Sequence, residues 1–591
     1  MDYSLTLTQL YTENQNLIVG VSGFVSDPTL PKEGLFRPKV VLFFDNGVEN
    51  RRIPLVIKEI QQTKDGCHFF GVYIYRLNYL FWRTRQTTKE ITLQFHLTYG
   101  NQTIEGASFD LESTLLETDE RYWHAPKIQN NTVLLTPIAH RSAPAFCKVI
   151  LAPFRALVWL CNLLIAICLL PWFLVEAILS FLGMATLDSK VKTTNPLRRI
   201  VGHVNARSAR FTNQKLTITG VYRGCVIALF HLFCLLPLQK NRITFISMRR
   251  NDLTGNFAFV YDQLKDRKDL KIKFILSYRP TAWIPPLTLV RFCHACAVSK
   301  VIVLDEFTPQ IHYFNLRKKT RLVQLWHACG AFKTFGFTRI DKPMGSPQNT
   351  RMHRSYDYVT VSSSYCKKCH SEGFGISEDN VVPTGIARTD IFFDEAYKAR
   401  VKQEFFEQYP ALQGKKILLF APTFRGNVKE TAHYPMEQFD LKAVYEAIGS
   451  DYAIIIKHHP FVKETHPIPE EYQDVILDLS NNSELNDLLL ISHAVITDYS
   501  SLIFEAALIG LNMLFYVYDL QEYIRDRDFY FDLSLNAPGK LVYTQQEVID
   551  AVVTNDYQPE RMEQFAHMFF DHFDGQSSRR VADLIRKAVQ E

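Results

Sequence analysis

The chain has 591 residues, of which 47% are hydrophobic, so it can bury several cores and we expect roughly three domains. The net charge of +5, from 66 basic and 61 acidic residues, is too small to indicate a protein that binds nucleic acid. No basic segment followed by an apolar stretch comes after Met1, so we expect no cleaved signal peptide. Cys161 and Cys168 lie inside apolar runs, which suits reduced thiols in a cytosolic location.

Residues 1–125 are predicted to form a small all-β sandwich. Apolar and polar positions alternate in short runs such as Leu17–Val21 and Ile91–Leu97, and turn signals such as Asp45-Asn46-Gly47 separate the runs. This part of the sequence contains no convincing catalytic cluster. We therefore expect it to be an accessory domain with a binding or packing role.

Residues 126–240 are predicted to be a linker with two membrane-associated apolar helical segments, 146–184 and 221–238. Twenty residues from Ala156 to Val175 carry no charge, and about 20 apolar residues suffice to cross a bilayer. Pro171 interrupts this stretch and basic residues flank both of its sides, which favours a re-entrant or interfacial hairpin over a single span. A buried helix pair in a soluble protein is the alternative. The second segment is expected in the membrane interface.

From residue 241 onward, predicted strands alternate with helices, which is typical of doubly wound parallel sheets. We predict a first Rossmann-like domain over 241–395 and a second over 396–591, with a functional cleft between them. The predicted strands are Ile243–Ile246, Ile272–Leu276, Lys300–Leu304, Leu322–Leu325, Tyr358–Val361, Ile417–Phe420, Ala453–Ile456, Val475–Leu477, Ala494–Thr497 and Met513–Phe515.

One strand leads into a candidate anion site. Ala494–Thr497 is followed by Asp498 and then by a helix predicted to open on Ser500 and Ser501. The free N–H groups of the first helical turn and the two serine hydroxyls could all donate hydrogen bonds to a phosphate. Glu505 lies one turn later on the same face and could accept hydrogen bonds from a ribose. Phosphate and sugar together indicate a nucleotide. An ordinary capped helix with a solvated glutamate is the structural alternative.

Two strand ends carry histidines. The segment W-H-A-C-G-A-F-K places His327 after Leu322–Leu325, where a neutral imidazole could take a proton from an attacking hydroxyl. The segment K-H-H-P-F places Lys457, His458 and His459 after another strand. For His327, a structural histidine bonded to the backbone is the alternative. Their placement, one in each predicted half, favours a catalytic cleft.

Cations near these strand ends are candidate phosphate ligands. Arg425, which follows Thr423 in F-A-P-T-F-R-G-N, is predicted to clamp a diphosphate, because its planar fork makes bidentate bonds to phosphate oxygens. Arg388, in P-T-G-I-A-R-T-D, either contacts phosphate or only shapes a hinge. Lys333 and Lys457 are further possible contacts to phosphate or acceptor. No Walker lysine motif, dinucleotide-binding glycine motif or nucleophile elbow is present in these positions.

We expect no tightly bound metal. The pairs Cys293/Cys296 and Cys366/Cys369 have a spacing that zinc sites use, but an i, i+3 pattern on a helix explains each pair better. No Asp-x-Asp motif lies convincingly at a predicted strand end. A loosely bound magnesium ion stays an open alternative.

Six motifs in order resemble the CDP-glycerol glycerophosphotransferase family of wall teichoic acid polymerases. They are W-H-A-C-G-A-F-K-T-F-G-F, V-V-P-T-G-I-A-R-T-D, F-A-P-T-F-R-G-N with T-A-H-Y-P, K-H-H-P-F, T-D-Y-S-S-L-I-F-E and R-D-F-Y. The resemblance covers residues 240–590. The form W-H-A-x-G-A-F-K looks like the ribitol-phosphate branch, whereas glycerol-phosphate enzymes typically have W-H-G-T-P-L-K. The apolar insertion at 146–184 departs from the family pattern.

The resemblance implies a GT-B-like pair of Rossmann-type domains at the cytoplasmic face of the cell membrane, either peripheral or monotopic. His327 and His459 match motif histidines and are the expected catalytic residues. The implied donor is CDP-ribitol and the implied acceptor is a lipid-linked teichoic acid chain. The expected donor-binding residues are Thr423, Arg425, Thr497, Asp498, Ser500, Ser501 and Glu505.

The implied reaction is transfer of ribitol phosphate to the hydroxyl end of the acceptor with release of CMP. CDP-glycerol as donor, and a single priming transfer instead of polymerisation, are the nearest alternatives. A sugar-nucleotide glycosyltransferase and a non-catalytic membrane scaffold are more distant ones. Oligomeric state and product length are not fixed by the sequence.

Overall fold

The computed structural model describes residues 1–13, 16–30, 37–63, 65–76, 90–112, 126–137, 218–278, 284–339, 345–346, 350–426, 431–464 and 466–591. The predicted apolar segment 146–184 lies outside these residues. Most of the second segment, 221–238, falls in the first described helix, α1 (Ile218–Phe233). Within the described ranges, no helix is both long enough and apolar enough to cross a membrane.

The N-terminal region is rich in β-structure, as predicted. Its strands form two sheets, in the orders β5-β6-β2-β1-β9 and β10-β11-β7-β3-β4, with β8 paired to β7, and pairing is antiparallel except between β1 and β9. The two sheets enclose one apolar core, to which Leu7 and Val19 contribute from one side and Leu42 and Phe95 from the other. The strands are β1 (Asp2–Glu13), β2 (Asn16–Ser26), β3 (Lys39–Asp45), β4 (Asn50–Pro54), β5 (Ile57–Gln62), β6 (Cys67–Arg76), β7 (Ile91–Tyr99), β8 (Gln102–Ile104), β9 (Asp110–Leu111), β10 (Lys127–Gln129) and β11 (Thr132–Leu135).

A first parallel sheet of six strands follows α1, in the order β13-β12-β14-β15-β16-β17. Its central strand β14 is buried at every position, as expected for a strand covered on both faces. The elements are β12 (Gln239–Ser247), α2 (Asn256–Asp262), β13 (Lys271–Leu276), α3 (Pro286–Val298), β14 (Ser299–Leu304), β15 (Arg321–Gln324), β16 (Tyr358–Thr360), α4 (Ser364–Phe374) and β17 (Val381–Val382).

A second parallel sheet of six strands has the order β20-β19-β18-β21-β22-β23. The predicted α/β architecture is thus confirmed, and each predicted strand is present. The elements are α5 (Glu395–Gln408), β18 (Lys416–Phe420), α6 (Leu441–Ile448), β19 (Tyr452–Ile456), β20 (Ile476–Asp478), α7 (Leu485–Ile491), β21 (Ala494–Thr497), α8 (Leu502–Leu508), β22 (Asn512–Tyr516), α9 (Leu520–Arg527), α10 (Leu533–Asn536), β23 (Lys540–Val542), α11 (Gln545–Val553), α12 (Met562–Phe569) and α13 (Ser577–Gln590).

The C-terminal helix α13 packs on the first sheet, although it follows the second in sequence. Val581 and Ile585 lie in the same apolar cluster as Ile243 and Val301. The carboxylate of Asp390 accepts hydrogen bonds from the first two helical N–H groups, at 2.9 and 2.8 Å, which satisfies donors that have no partner within the helix. The segment between the sheets is therefore also the docking site of the last helix.

The N-terminal sandwich is fixed to the α/β part by buried polar contacts. Nε of Arg52 on β4 donates to Oε1 of Glu372 on α4 at 3.1 Å, and both side chains are buried. Nζ of Lys39 donates to the backbone carbonyl of Phe529. The sandwich therefore contacts the units of both parallel sheets.

Candidate active site

Three neighbouring parallel strands of the first sheet, β12, β14 and β15, end on the same side of the sheet, so the loops that follow them lie next to one another. Ile246 on β12 pairs with Leu304 on β14, and Leu304 in turn pairs with Gln324 on β15. Residues two and three positions beyond these pairs therefore leave the sheet side by side. They include Glu306 after β14 and His327 after β15, the predicted catalytic histidine.

His327 is paired with a carboxylate that the sequence analysis missed. Its Nδ1 lies 3.2 Å from Oε2 of Glu306, and 48% of the His327 side chain is exposed. Burial alone would raise the pKa of Glu306, but the charge of His327 and a hydrogen bond to it lower that pKa overall. The carboxylate fixes one ring nitrogen and leaves the other edge of the imidazole for a substrate.

The backbone next to His327 adopts a rare conformation. Trp326 has a φ of 57°, a left-handed value that is uncommon for a bulky residue. Its N–H donates to Oε1 of Gln324 at 2.9 Å, and its carbonyl accepts from Nδ2 of Asn256 at 2.8 Å. Oδ1 of Asn256 also accepts from the N–H of Arg388 at 3.0 Å. One buried amide therefore positions the backbone beside His327 and Arg388.

His459 lies after β19 and is largely enclosed. Its Nδ1 accepts a hydrogen bond from the N–H of Phe461 at 3.1 Å, and Phe424 packs near its ring. Burial and the positive charge of Lys333 lower the pKa of His459 to about 4. His459 is thus neutral at physiological pH, with Nε2 as its proton-bearing nitrogen.

Lys333 connects the two histidine motifs. It belongs to the loop that starts at His327, yet its Nζ donates to the Tyr523 hydroxyl of the second unit at 2.7 Å, and its charge acts on His459. The predicted acceptor or phosphate contact is therefore at the cleft, with one hydrogen bond already made to Tyr523. Lys333 thus brings the loop that starts at His327 within electrostatic range of His459.

The R-D-F-Y motif pairs with the same loop. Lys333 forms an antiparallel bridge with Phe529. The N–H of Tyr530 donates to the carbonyl of Phe332 at 2.8 Å, and the N–H of Thr334 donates to the carbonyl of Asp528 at 3.2 Å. This short main-chain pairing holds the first-sheet loop against the second unit.

Arg425 does not present an open fork, in contrast to the predicted diphosphate clamp. Nε and Nη2 donate to the Asp519 carboxylate at 2.6 and 3.0 Å, and Nη1 donates to Oδ2 of Asp498 at 2.9 Å. The two carboxylates raise the pKa of Arg425 despite its burial. The bidentate face is used inside the protein, so Arg425 is a positioning residue for Asp498 and Asp519.

Three other predicted donor contacts are also engaged internally. The Thr497 hydroxyl donates to the carbonyl of Ala421 at 2.8 Å, and Thr497 is buried. Oδ1 of Asp498 accepts from the N–H groups of Thr423 and Tyr499, at 2.8 and 2.6 Å. Direct contact of Thr497 or Asp498 with a nucleotide is therefore not supported. These residues fix the loop after β21, and the Thr423 hydroxyl lies beside Nη1 of Arg425 at 3.2 Å.

Ser500 and Ser501 are the more open residues of this loop. Ser501 is exposed, and its side chain makes no capping hydrogen bond to α8. Oγ of Ser500 accepts from the N–H of Leu502 in a long contact of 3.4 Å. Helix α8 begins at Leu502, one residue later than predicted. Both hydroxyls can turn towards a ligand in the cleft.

Glu505 is buried and ion-paired through one carboxylate oxygen, and its contact with a ribose stays a prediction. It is 4% exposed, and its Oε1 accepts a hydrogen bond from Nη2 of Arg388. The same Nη2 group donates to the carbonyl of His327 at 3.2 Å. Arg388 and Glu505 therefore form an ion pair between the hinge segment and α8 that also holds the His327 backbone.

A close approach next to this ion pair explains the glycine of the W-H-A-C-G-A-F-K motif. Gly330 has a φ of 60°, and a Cβ at this position would lie 2.3 Å from Cε1 of Phe504 on α8. Any side chain would force the loop away from α8. The His327 loop thus packs directly on the predicted donor-side helix.

Lys457 is held by backbone oxygens and does not point to a phosphate as predicted. Its Nζ donates to the carbonyls of Ser480 and Ser483 at 2.6 and 2.7 Å, and to that of Leu479 at 3.3 Å. Burial lowers the pKa of Lys457. Through these three carbonyl groups, Lys457 stabilises the loop after β20.

The cysteine pairs lie on helices, as their spacing predicted. Cys293 and Cys296 are buried on α3, and Cys366 and Cys369 are buried on α4, in the large apolar cluster of the α/β part. Among the residues that the structure describes, no group of three or more His, Cys, Asp or Glu side chains is arranged to hold a metal ion.

The family model described as CDP-Glycerol:Poly(glycerophosphate) glycerophosphotransferase matches residues 228–587. The chain belongs to that glycerophosphotransferase family. The matched region contains both parallel sheets and each site residue described above, and it excludes the N-terminal sandwich.

Relatives of this chain are named for teichoic acid synthesis. The chain is 44% identical to the teichoic acid poly(ribitol-phosphate) polymerase of Bacillus spizizenii over 363 residues. This alignment covers 61% of the chain and 59% of the Bacillus polymerase. The chain is 40% identical over 366 residues to the teichoic acid ribitol-phosphate polymerase TarK of Staphylococcus aureus, covering 61% of this chain and 71% of TarK. The chain thus spans about three fifths of the length of the Bacillus polymerase.

The fold is similar to that of a solved wall teichoic acid polymerase. The wall teichoic acid polymerase TagF superposes with a TM-score of 0.53 at 20% sequence identity, over 68% of this chain and 99% of that chain. At this identity the likeness shows the fold. The predicted family resemblance is confirmed by the family match and by the ribitol-phosphate polymerases together.

Proposed function

We propose that this protein transfers ribitol phosphate from CDP-ribitol to the terminal hydroxyl of a teichoic acid chain. The observation that carries the proposal is the His327–Glu306 pair beyond the carboxyl ends of β15 and β14, at the start of a loop whose Lys333 acts on His459. The identities of 44% and 40% to ribitol-phosphate polymerases support ribitol over glycerol as the transferred polyol.

In the proposed reaction, the acceptor hydroxyl oxygen attacks the β-phosphorus of the CDP-polyol. A new phosphorus–oxygen bond forms to the acceptor, the bond between the β-phosphorus and the bridging oxygen breaks, and CMP leaves with the bonding electrons. His327 removes the hydroxyl proton through Nε2, while Glu306 stabilises the imidazolium through Nδ1. This division of roles needs no covalent enzyme intermediate.

The neutral His459 and the cation Lys333 are proposed to act on the phosphates. An uncharged imidazole donates one hydrogen bond from Nε2, and the lysine supplies charge where the leaving phosphate becomes more negative. Ser500 and Ser501 are the proposed donor contacts, because their hydroxyls are the accessible ones on the loop after β21. Arg425 and Asp498 then act indirectly by fixing that loop.

We further propose a GT-B-like arrangement, with the acceptor bound by residues 241–395 and the donor by residues 396–591. The sandwich over 1–125 and the linker over 126–240 would precede these two domains. The main-chain pairing at Lys333 and the Arg388–Glu505 pair support two halves that face one cleft.

Attachment to the cytoplasmic face of a membrane is also part of the proposal. Around α1 and α3, Leu235 and Leu287 are each 82% exposed, and Leu232 is 55% exposed. Lys240 lies close by in sequence and is exposed. Apolar side chains beside cations suit an interface with anionic lipid headgroups and a lipid-linked acceptor.

An assay of donor preference tests the proposed function. The full chain is incubated with a teichoic acid acceptor and with CDP-ribitol, CDP-glycerol or a UDP-sugar, and CMP or UDP release is measured with and without a chelator. We expect release of CMP with CDP-ribitol as the preferred donor and no requirement for a tightly bound metal. Preference for CDP-glycerol would support the glycerol alternative, and absence of product with each donor would support a non-catalytic scaffold.

A further inference from the structure

The cations that the sequence analysis assigned to phosphate are engaged with protein groups. Arg388 pairs with Glu505, Lys457 is bonded to backbone carbonyls, and Lys333 donates to Tyr523. Of these three, Lys333 is at the cleft, on the side of His459. A polyanionic acceptor needs a cation near the attacking hydroxyl, and the loop after β12 carries one.

Arg249 lies at the same sheet edge as His327. Ile246 on β12 and Gln324 on β15 both pair with Leu304 on the strand between them. Arg249 lies three residues after Ile246, and His327 lies three residues after Gln324. Strands in a sheet are about 4.8 Å apart, which puts β12 and β15 about 10 Å from each other, with β14 between them. A ribitol phosphate unit in an extended conformation spans a gap of that order.

The loop that carries Arg249 is braced by its neighbour. Nε of Arg250 lies 2.8 Å from Oδ2 of the buried Asp305, and Nη1 of Arg250 donates to the Thr254 hydroxyl at 2.8 Å. Gly255 has a φ of 57°, and a Cβ there would lie 2.9 Å from Nη1 of Arg250. The guanidinium of Arg250 thus ties the loop after β12 both to Thr254 within that loop and to Asp305 after β14, and Arg249 is the residue next to this anchor.

The Arg249 side chain is open. The residue is exposed, and its guanidinium makes no hydrogen bond or close ion pair with any side chain in the described part of the protein. Its positive charge contributes to lowering the pKa of Glu306, which shows that it lies within electrostatic range of the catalytic pair. An unpaired guanidinium on a braced loop beside a proposed base is arranged to receive an anion.

We propose that Arg249 binds the acceptor, by holding the phosphodiester that precedes the attacking hydroxyl of a poly(ribitol phosphate) chain. The inference rests on the proposed function, and it adds a residue that selects the acceptor. The planar fork of an arginine makes two parallel hydrogen bonds to a phosphodiester, which fixes the distance from that group to His327. Neutral polyols lack the anion and gain nothing from this contact.

The test compares Arg249→Gln with Lys402→Gln, which removes one exposed positive charge from α5, away from the sheet edge. Binding of a synthetic ribitol-phosphate trimer and of CDP-ribitol is measured by calorimetry with the full chain. Arg249→Gln should weaken trimer binding by about 10- to 100-fold, the usual cost of losing hydrogen bonds to a charged group. CDP-ribitol binding should stay within about twofold, and Arg249→Lys should restore part of the trimer affinity.

The kinetic readout separates this inference from the proposed function. With active enzyme, Arg249→Gln should raise KM for the trimer and leave KM for CDP-ribitol unchanged. Equal trimer binding by Arg249→Gln and Lys402→Gln would overturn the inference, and so would a selective loss of CDP-ribitol binding in Arg249→Gln. If the natural sequence releases no CMP, the proposed function fails, whereas trimer binding still decides the role of Arg249.

Discussion

Glu306 and His327 come from neighbouring strands and meet with Oε2 of the carboxylate 3.2 Å from Nδ1 of the imidazole. A carboxylate on one ring nitrogen sets the tautomer and turns the other nitrogen towards the cleft. Trp326 holds the adjoining backbone in a rare conformation, which indicates that the position of His327 is strongly constrained by its surroundings.

Replacing Glu306 by Gln should lower kcat by about 100-fold, because the amide keeps the shape but no longer stabilises a positive imidazole. KM for CDP-ribitol should change little. The measurement is the initial rate of CMP release at saturating donor. The double variant with His327→Ala should be scarcely slower than His327→Ala alone, since the two residues act as a unit. Additive losses would contradict that coupling.

Replacing Arg388 by Met should lower the free energy of unfolding by about 3 kcal/mol, because Glu505 is left buried without its partner. Differential scanning calorimetry gives this value. Arg400→Met is the matched control, since the Arg400–Glu404 pair on α5 is exposed and worth less than about 0.5 kcal/mol. Equal melting temperatures for the two variants would show that the inter-sheet pair is not structural.

Arg425 and Ser501 should behave differently, although both belong to predicted donor motifs. Arg425→Met leaves the Asp498 and Asp519 carboxylates without their cationic partner. We therefore expect a loss of about 3 kcal/mol or more in the free energy of unfolding. Ser501→Ala should leave the melting temperature unchanged and raise KM for CDP-ribitol by about fivefold, the cost of one lost hydrogen bond. A stable Arg425→Met protein with weakened donor binding would instead support the prediction that Arg425 binds the diphosphate.

Replacing Lys333 by Met should raise the pKa of His459 above about 4 but only part of the way to its ordinary value, because a nearby positive charge is removed while burial, the larger cause, remains. Histidine NMR titration of the two proteins measures the shift. An unchanged His459 titration would mean that burial alone sets its pKa.

Acid should destabilise the protein between pH 6.5 and 4. Burial lowers the pKa of several enclosed histidines to about 4 or below, so the unfolded chain binds more protons than the folded protein in this range. Stability is fully present above pH 6.5 and falls as the pH decreases towards 4, because each of these neutral histidines gains a proton more readily in the unfolded chain. Melting temperatures from pH 7.5 to 4.5 test this for His96, His312, His370, His459 and His466.

The sequence predicted the parallel strands well, because buried strands such as Lys300–Leu304 and Ala494–Thr497 consist mostly of consecutive apolar residues. It missed β17 and β23, which have two and three residues and are held by their neighbours. Where strands end was also predictable. His327 and His459 therefore emerged as site residues from local pattern and motif alone.

Partners between strands were not predictable from one sequence. Glu306 follows a predicted strand directly, but its role depends on β14 lying between β12 and β15, an order that the sequence does not state. Arg425 and Glu505 were interpreted as ligand contacts because each is a suitable residue type near a helix or strand end. Their ion partners Asp519 and Arg388 lie 94 and 117 positions away, so only the fold brings each pair together.

The most direct test of the account is CMP release by His327→Ala with CDP-ribitol and a teichoic acid acceptor, together with calorimetric binding of CDP-ribitol to the same variant. The account predicts that CMP release is lost while donor affinity stays within about twofold of the natural protein, because the proposed mechanism assigns His327 to the acceptor hydroxyl. Retained turnover in this variant, or loss of donor binding, would contradict the assignment of His327 as the base.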